Sequence, residues 1–557
     1  MDFVLALHSH LPWMLNHGRW PHGSDWLCEG ALDTYLPLLE VLRALESDGV
    51  AAPVTIGFTP VLANQLASPT FQAEMELYFA QRMAACDDAP ASLSSTGDGQ
   101  LLPIVRFWRD RYERMQTLWR AIHGDIPAAF RALEDAGRLE IMGSAATHGF
   151  LPLLARDESV RLQLGVGFRE HERIFGRAPR GCWVPECAYR PRGPWAPWPG
   201  GPRAPLRRGI DEHLADAGFR YFFVDAHLVT GGEPLGISSD QRGDGAVESH
   251  GALASDPDHS PYRGYGVLSA GRSRVNVLVR DPSASRQVWS RHGGYPGAGP
   301  YLEFHKQRWP GGLRLWRVSA PGTDLGWKQP YDPRAALAEA GHHARHFAQL
   351  LADTAATLAR RRHPVVAAPF DTELFGHWWF EGPDFLGDTF RALGGEARVE
   401  AATAEHYLER HPPKTGIRLP AGSWGANGDF SMWLSDQVAW TWERLWPLED
   451  AFWDAAAVAL PDPRRHRALE QATRELLLAQ ASDWQFIIST GAAADYGERR
   501  FRLHCDAAER LVRGLTGPED GFPGLDRDAA ELYQRDDCFP DLLPMVRAAL
   551  DGTRRHS

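Results

Sequence analysis

The stretch PVVAAPFD (364–371) is an apolar run that ends on a carboxylate, and the form recurs along the chain. Six more short apolar runs are present, of which GCWVPE and VNVLVRD also end on a carboxylate: FVLALHSH (3–10), VTIGFTP (54–60), LEIMGSAA (139–146), GCWVPE (181–186), YFFVDAH (221–227) and VNVLVRD (275–281). Each is followed by a turn or a helical pattern. Continuous apolar strands separated by helices indicate a parallel sheet covered on both faces. Seven of them in one region favour a closed or nearly closed β/α barrel over an open sheet. The chemically able residues sit at the C-terminal ends of these runs: His8 and His10, His148, Glu186, Asp225, Arg280 and Asp371. A barrel enzyme builds its site on that face, because the loops after the strands converge there. This is an enzyme's layout.

Between the second and third runs, residues 61–135 read as a helical insertion. Residues 191–208, PRGPWAPWPGGPRAPLRR, form a Pro/Gly-rich loop without a regular period. Residues 236–266 are polar and irregular, the signature of a long loop with a lid function or of disorder. After about 415 the strand signal stops, and patterns such as HRALEQATRELLLAQASDWQFII mark an all-α region. The expected organisation is a catalytic barrel over 1–415 and a C-terminal helical domain over 416–557 that contributes substrate-binding residues. No internal repeat is present.

With 557 residues, 44% hydrophobic and 23% charged, the chain has the make-up of a globular protein with room for both parts. A formal charge of −12 argues against nucleic acid, whose phosphates are bound by Lys and Arg. The lysines are Lys306, Lys328 and Lys414 alone, so nearly all positive charge is Arg. The opening MDFVLALHSHLPW has neither the cationic segment nor the cleavage site of a secretory leader. No run of about 18 apolar residues exists to span a membrane, so a cytoplasmic protein is expected. Six cysteines without metal-type spacing read as buried free thiols. The 21 tryptophans are mostly core, but indole faces also suit the C–H faces of pyranose rings.

Cleaving a glycosidic bond takes two flanking carboxyl groups, one to attack or activate water and one to protonate the departing oxygen. Glu186 in WVPECAY and Asp371 in APFDTELFGHWWFEGP are the best pair, since each closes an apolar strand and is followed by aromatics. Glu373 is a local rival to Asp371. His8 and His10 point to one side of a strand and have the spacing of a metal pair, but the residue between them is Ser9, not an Asp.

Taken in order, HSHLPW (8–13), GSAATHGFLPLL (143–154), WVPECAY (183–189), PFDTELFGHWW (369–379) and SWGANGDFSMWL (423–434) resemble glycoside hydrolase family 57, in its branching-enzyme branch. RDPSASRQVWSRHGGYPG (280–297) and ASDWQFI (481–487) extend the resemblance over nearly the whole chain. It implies a seven-stranded β/α barrel with a helical C-terminal domain. It also implies Glu186 as nucleophile and Asp371 as acid/base, without metal or cofactor. Sugar contacts are implied for His10, His148, Arg280, Trp289, Gly297, Trp424, Trp433 and Asp483. The substrate would be an α-1,4-glucan of the amylose or glycogen kind, and the product an α-1,6 branch. An α-glucan hydrolase on the same pair is the alternative, and a glycan-binding protein with a dead site is disfavoured because both carboxyl groups are present. A monomer or small homo-oligomer is expected. The chain departs from the family at Ala492, where related enzymes tend to carry Gln. It departs also in the 191–208 segment and in the 236–266 loop, where Tyr265, or else Tyr262, is the candidate lid tyrosine.

Overall fold

The computed structural model describes residues 1–197, 204–231, 259–269, 275–289, 293–320 and 322–554. All seven expected strands form: β1 (Asp2–Ser9), β2 (Val54–Phe58), β3 (Leu139–Ser144), β4 (Gly181–Trp183), β5 (Tyr221–Val224), β6 (Asn276–Val279) and β7 (Val365–Asp371). They pair in parallel in the order β7-β1-β2-β3-β4-β5-β6. The sheet curls until Arg280, just past β6, bridges in parallel to Ala367 of β7, and the Asp281 amide donates to the Ala367 carbonyl at 2.8 Å. That contact closes the (β/α)7 barrel. Side chains of β1 to β5 are buried on both faces, which explains why these runs are apolar throughout and not alternating.

Register decides what meets at the top. His8 of β1 lies beside Asp371 of β7, and the Ser9 hydroxyl donates to Thr372 across the same seam at 2.8 Å. The opposite edge of the sheet is different. The short strand Tyr265–Val267 runs antiparallel to β6, with Tyr265 opposite Val277 near the start of that strand, and Gly416–Ile417 pairs with it in turn. The Tyr262 carbonyl accepts from the Val365 amide at the start of β7. Both tyrosines therefore belong to the bottom of the barrel.

The 61–135 region forms helices Pro60–Leu66, Pro69–Thr96, Leu102–Ala121 and Ile126–Asp135. In the Pro/Gly-rich stretch, Gly193–Pro194 pairs with Leu206–Arg207, and the Arg207 guanidinium reaches Asp157 at 2.5 Å. Most of the 236–266 loop lies outside the described residues. From Ala439 onward the chain is helical, through Ala439–Ala459, His466–Ala479, Asp483–Thr490, Ala494–Leu515, Phe522–Arg535 and Leu543–Arg554. Tryptophans anchor these helices on the barrel. Trp446 donates to the Leu153 carbonyl at 2.8 Å, Trp453 donates to Ser159 at 2.9 Å, and Arg500 reaches the Trp13 carbonyl at 2.7 Å. Each buried ring removes a large apolar area from water while its N–H stays paired. All six cysteines are buried free thiols. Among the described residues no helix is long and apolar enough to cross a membrane.

The loop after β7 is threaded tightly over the π-helical turn Ala31–Tyr35. Gly376 has φ +122°, and a Cβ there would stand 2.0 Å from the Asp33 carbonyl oxygen. Two penalties coincide at that position, one torsional and one steric, and the obstructing atom is backbone. Gly376→Ala is expected to cost about 3 kcal/mol of stability. Thermal unfolding checks it, and an unchanged midpoint contradicts the packing described.

Candidate active site

A cavity of about 850 Å3 opens at the C-terminal face of the barrel, and Glu186, Asp371 and Glu373 all line it. Glu186 sits on a turn whose shape is unusual. It has φ +60° and Cys187 follows at +46°, a left-handed pair without a glycine. Such backbone costs on the order of 1–3 kcal/mol per residue and persists only where neighbours hold it. They do so here: the Glu186 carbonyl accepts from the Trp424 amide at 3.0 Å, and Tyr189 and Gly422 exchange backbone bonds.

The carboxylate of Glu186 is buried, and burial pushes it up to about 7. Two donors oppose that shift. Trp424 Nε1 donates to Oε2 at 2.9 Å and the Ser482 hydroxyl to Oε1 at 3.1 Å. Ser482 has one proton and spends it on Glu186, so it accepts from His148 Nδ1 at 2.9 Å. The neutral His148 then presents a bare Nε2, which takes the Nε2–H of His8 at 3.0 Å. His8 Nδ1, without a partner, is the bare nitrogen that this assignment requires. Burial holds both histidines well below their usual range, consistent with a neutral relay His8–His148–Ser482–Glu186.

Asp371 is raised well above the carboxylate range, first by burial and then by the negative charges of Glu373 and Glu186, against the pull of Arg280. Glu373 is pinned from one side. Its Oε1 accepts from the Tyr35 hydroxyl and from the His10 amide (3.1 Å), and burial lifts it to about 7. These bonds fix Glu373 in place, whereas no hydrogen bond contributes to the Asp371 shift.

The expected sugar-contact residues divide. His10, His148, Trp289, Gly297, Trp424 and Asp483 line the cavity, with His10 Nε2 bonded to Asp483 at 2.9 Å. Arg280 does not. It is 1% exposed, lies under the Trp424 ring at 5.5 Å, and is bonded to Asp225 and Ser285. Its reach is electrostatic, toward Asp371. Trp433 is a correction too: fully buried, it stacks on Phe150 at 4.6 Å and backs the cavity from behind, so it offers no open face to a sugar. Tyr265 is the third. Its hydroxyl is closed on the Ser260 backbone at 2.7 Å on the far side of the barrel, a packing role that a strand pairing imposes. Tyr262 fails for the same reason of place. Sequence reading missed Trp26, Phe486 and Trp378, and it missed Leu302 to His305 together with Val318, Ala320, Gly322, Thr323, Leu325 and Lys328 as cavity walls. The helix position of Phe486, three residues after Asp483, was the available signal for one of them.

His10, His148 and Asp483 bring one donor atom each to within 4.8 Å of one another, a spacing that fits a metal ion. Their nitrogens are already engaged: His10 with Thr59 and Asp483, His148 with Ser482 and His8. A metal would have to break the relay that serves Glu186.

A model of glycosyl hydrolase family 57 matches residues 4–420, and one of the 1,4-alpha-glucan branching enzyme C-terminal region matches 448–546. A 1,4-alpha-glucan branching enzyme of Thermococcus kodakarensis is 38% identical over 92% of this chain and 73% of its own length. The crystal structure of a family-57-type branching enzyme from Pyrococcus horikoshii superposes with TM-score 0.87 at 35% identity, covering 98% of this chain and 96% of that one. An alpha-amylase, AmyC of Thermotoga maritima, follows with TM-score 0.77 at 26% identity over 98% and 99% of the two chains. The chain belongs to glycosyl hydrolase family 57, among its 1,4-alpha-glucan branching enzymes.

Because the histidine nitrogens are committed to protein partners, exhaustive chelation should leave α-glucan activity intact. Loss of activity on EDTA with recovery on added zinc contradicts that.

Proposed function

We propose that this enzyme cleaves an α-1,4 bond with retention and rebuilds it as an α-1,6 branch, with Glu186 as nucleophile and Asp371 as acid/base. The observation that carries the reading is a pair of carboxyl groups in one aromatic-walled cavity whose surroundings push their protonation apart. Burial raises both groups, but Glu186 accepts two donors that favour its ionised form, whereas Asp371 has negative neighbours that add to the effect of burial and keep its proton on. Asp371 gives that proton to the bridging oxygen while Glu186 takes the anomeric carbon. Ester formation then neutralises Glu186, removing one of the charges that held the Asp371 pKa up, so Asp371 becomes the base that the acceptor step needs.

The acceptor decides the product. Water gives hydrolysis; the 6-hydroxyl of a second glucan chain gives a branch. The substrate is a linear α-1,4-glucan, amylose- or glycogen-like, and the place of action is the cytoplasm, as a monomer or small homo-oligomer. The hydrolytic reading draws on Ala492, which stands on the cavity wall without a polar group to hold an acceptor. Incubation with amylose, scoring new α-1,6 linkages against new reducing ends, separates the two. Branches in excess support the proposal, and reducing ends without branches overturn it.

Glu186→Gln and Asp371→Asn should each lower activity by about 10³-fold or more with the fold retained. Near-native rates in either variant contradict the assignment. A subtler test uses Glu373→Gln. Both of its bonds fall on one oxygen, so the amide keeps them while the charge is lost. Glu373 raises Asp371, and removing that charge lowers the Asp371 pKa. The basic limb of the kcat/KM–pH profile should therefore move to lower pH. A shift to higher pH, or none, contradicts Asp371 as the acid.

A further inference from the structure

Residues 299–320 and 322–331 form an arm beside the cavity, knit by bridges between Leu302 and Arg317, Arg308 and Leu313, and Trp316 and Pro330. Its inner side supplies cavity wall. Its last turn, Leu325–Trp327, presents an indole that is 78% exposed. Exposure alone decides nothing, since single apolar residues are common on surfaces. The construction of the turn is the second observation. The Asp324 carboxylate accepts from the Gly326 amide at 2.7 Å, and its carbonyl accepts from the Trp327 amide at 3.0 Å. Gln329 donates to the Trp327 carbonyl at 3.2 Å, and Lys328 is tied to the Val318 carbonyl and the Glu303 carboxylate, both at 2.8 Å. The backbone that carries the exposed indole is thus fixed on both sides. Continuity is the third observation, because Leu325 and Lys328, which flank it closely, both line the catalytic cavity.

We propose that Trp327 is the stacking floor of an outer subsite that grips a linear α-1,4-glucan chain where it leaves the cavity mouth. The proposal rests on the α-glucan reading above. An indole presents a flat apolar face to the C–H side of a pyranose ring, and the exposed Asp324 and Gln329 side chains flank it as hydroxyl partners. A chain held in the cavity and again on Trp327 leaves only when both contacts open together, so long glucans are favoured over short ones. The arm thereby sets the length of chain the enzyme selects.

The test compares the full-length enzyme with Trp327→Ala and Trp327→Phe on linear maltooligosaccharides and amyloses of graded length. For the alanine variant, kcat/KM on long amylose should fall about 2- to 10-fold. The shortest reactive oligosaccharide should change less than about twofold, and the unfolding midpoint should hold. Phenylalanine should recover most of the loss, and migration in amylose-containing gels should follow the same order. The same length dependence in Trp327→Ala as in wild type overturns the inference, and so does an equal fall at every length. Wild-type protein inert on every α-glucan overturns the α-glucan reading itself, and this inference with it.

Discussion

The ionisable head of Glu186 is buried in an apolar wall and kept usable by two donors that arrive from far along the chain. Trp424 is 238 residues on and Ser482 is 296. A carboxylate taken out of water without such donors keeps its proton and cannot attack. Barrel strands alone do not supply them. The polypeptide beyond β7 must return over the mouth and dock, and the tryptophans of the later helices, bonded to barrel carbonyls and hydroxyls, hold it there. The strained turn at Glu186 depends on the same segment through the Trp424 amide. Placement of the head, its charge and its backbone are one problem with one solution.

The second constraint is the crowding of Glu186, Asp371 and Glu373 in a cavity that Glu303 and Asp483 also line. Burial first, and then the charges of Glu373 and Glu186, raise the affinity of Asp371 for its proton, and a change of charge at Glu186 alters it again. With the roles proposed for this pair, Asp371 would turn from acid to base without a moving part. The neutral histidine relay beneath Glu186 fits this economy: it delivers a hydrogen bond without adding a cation that would hold Asp371 ionised.

Much of this was legible in the sequence. Seven apolar runs became seven strands, and the habit of ending on a polar residue pointed to Glu186 and Asp371, which both line the cavity, because buried parallel strands and a polar barrel face leave a mark in the order of residues. What depends on tertiary docking left none. Tyr265 follows a polar loop but is captured as a strand at the bottom of the barrel. Trp433 shares the SWGANGDFSMWL run with Trp424, yet it packs behind the cavity instead of facing it. Arg280 closes a strand as an active-site residue would, and is spent on Asp225. The arm that carries Leu302 and Lys328 is irregular, with no period to announce that it walls the site. Periodicity reports which face is buried, not which side of the barrel it is buried on.

The central claim is that Glu186 becomes covalently bound to sugar. An α-maltosyl fluoride donor loses its leaving group without a proton, so with Asp371→Asn the first step proceeds while the second, which lacks its base, stalls. Digestion and mass spectrometry of that mixture locate the label. A glycosyl adduct on the peptide that carries Glu186 is the expected result. A label on Glu373, or fluoride release with no labelled carboxylate at all, contradicts the account.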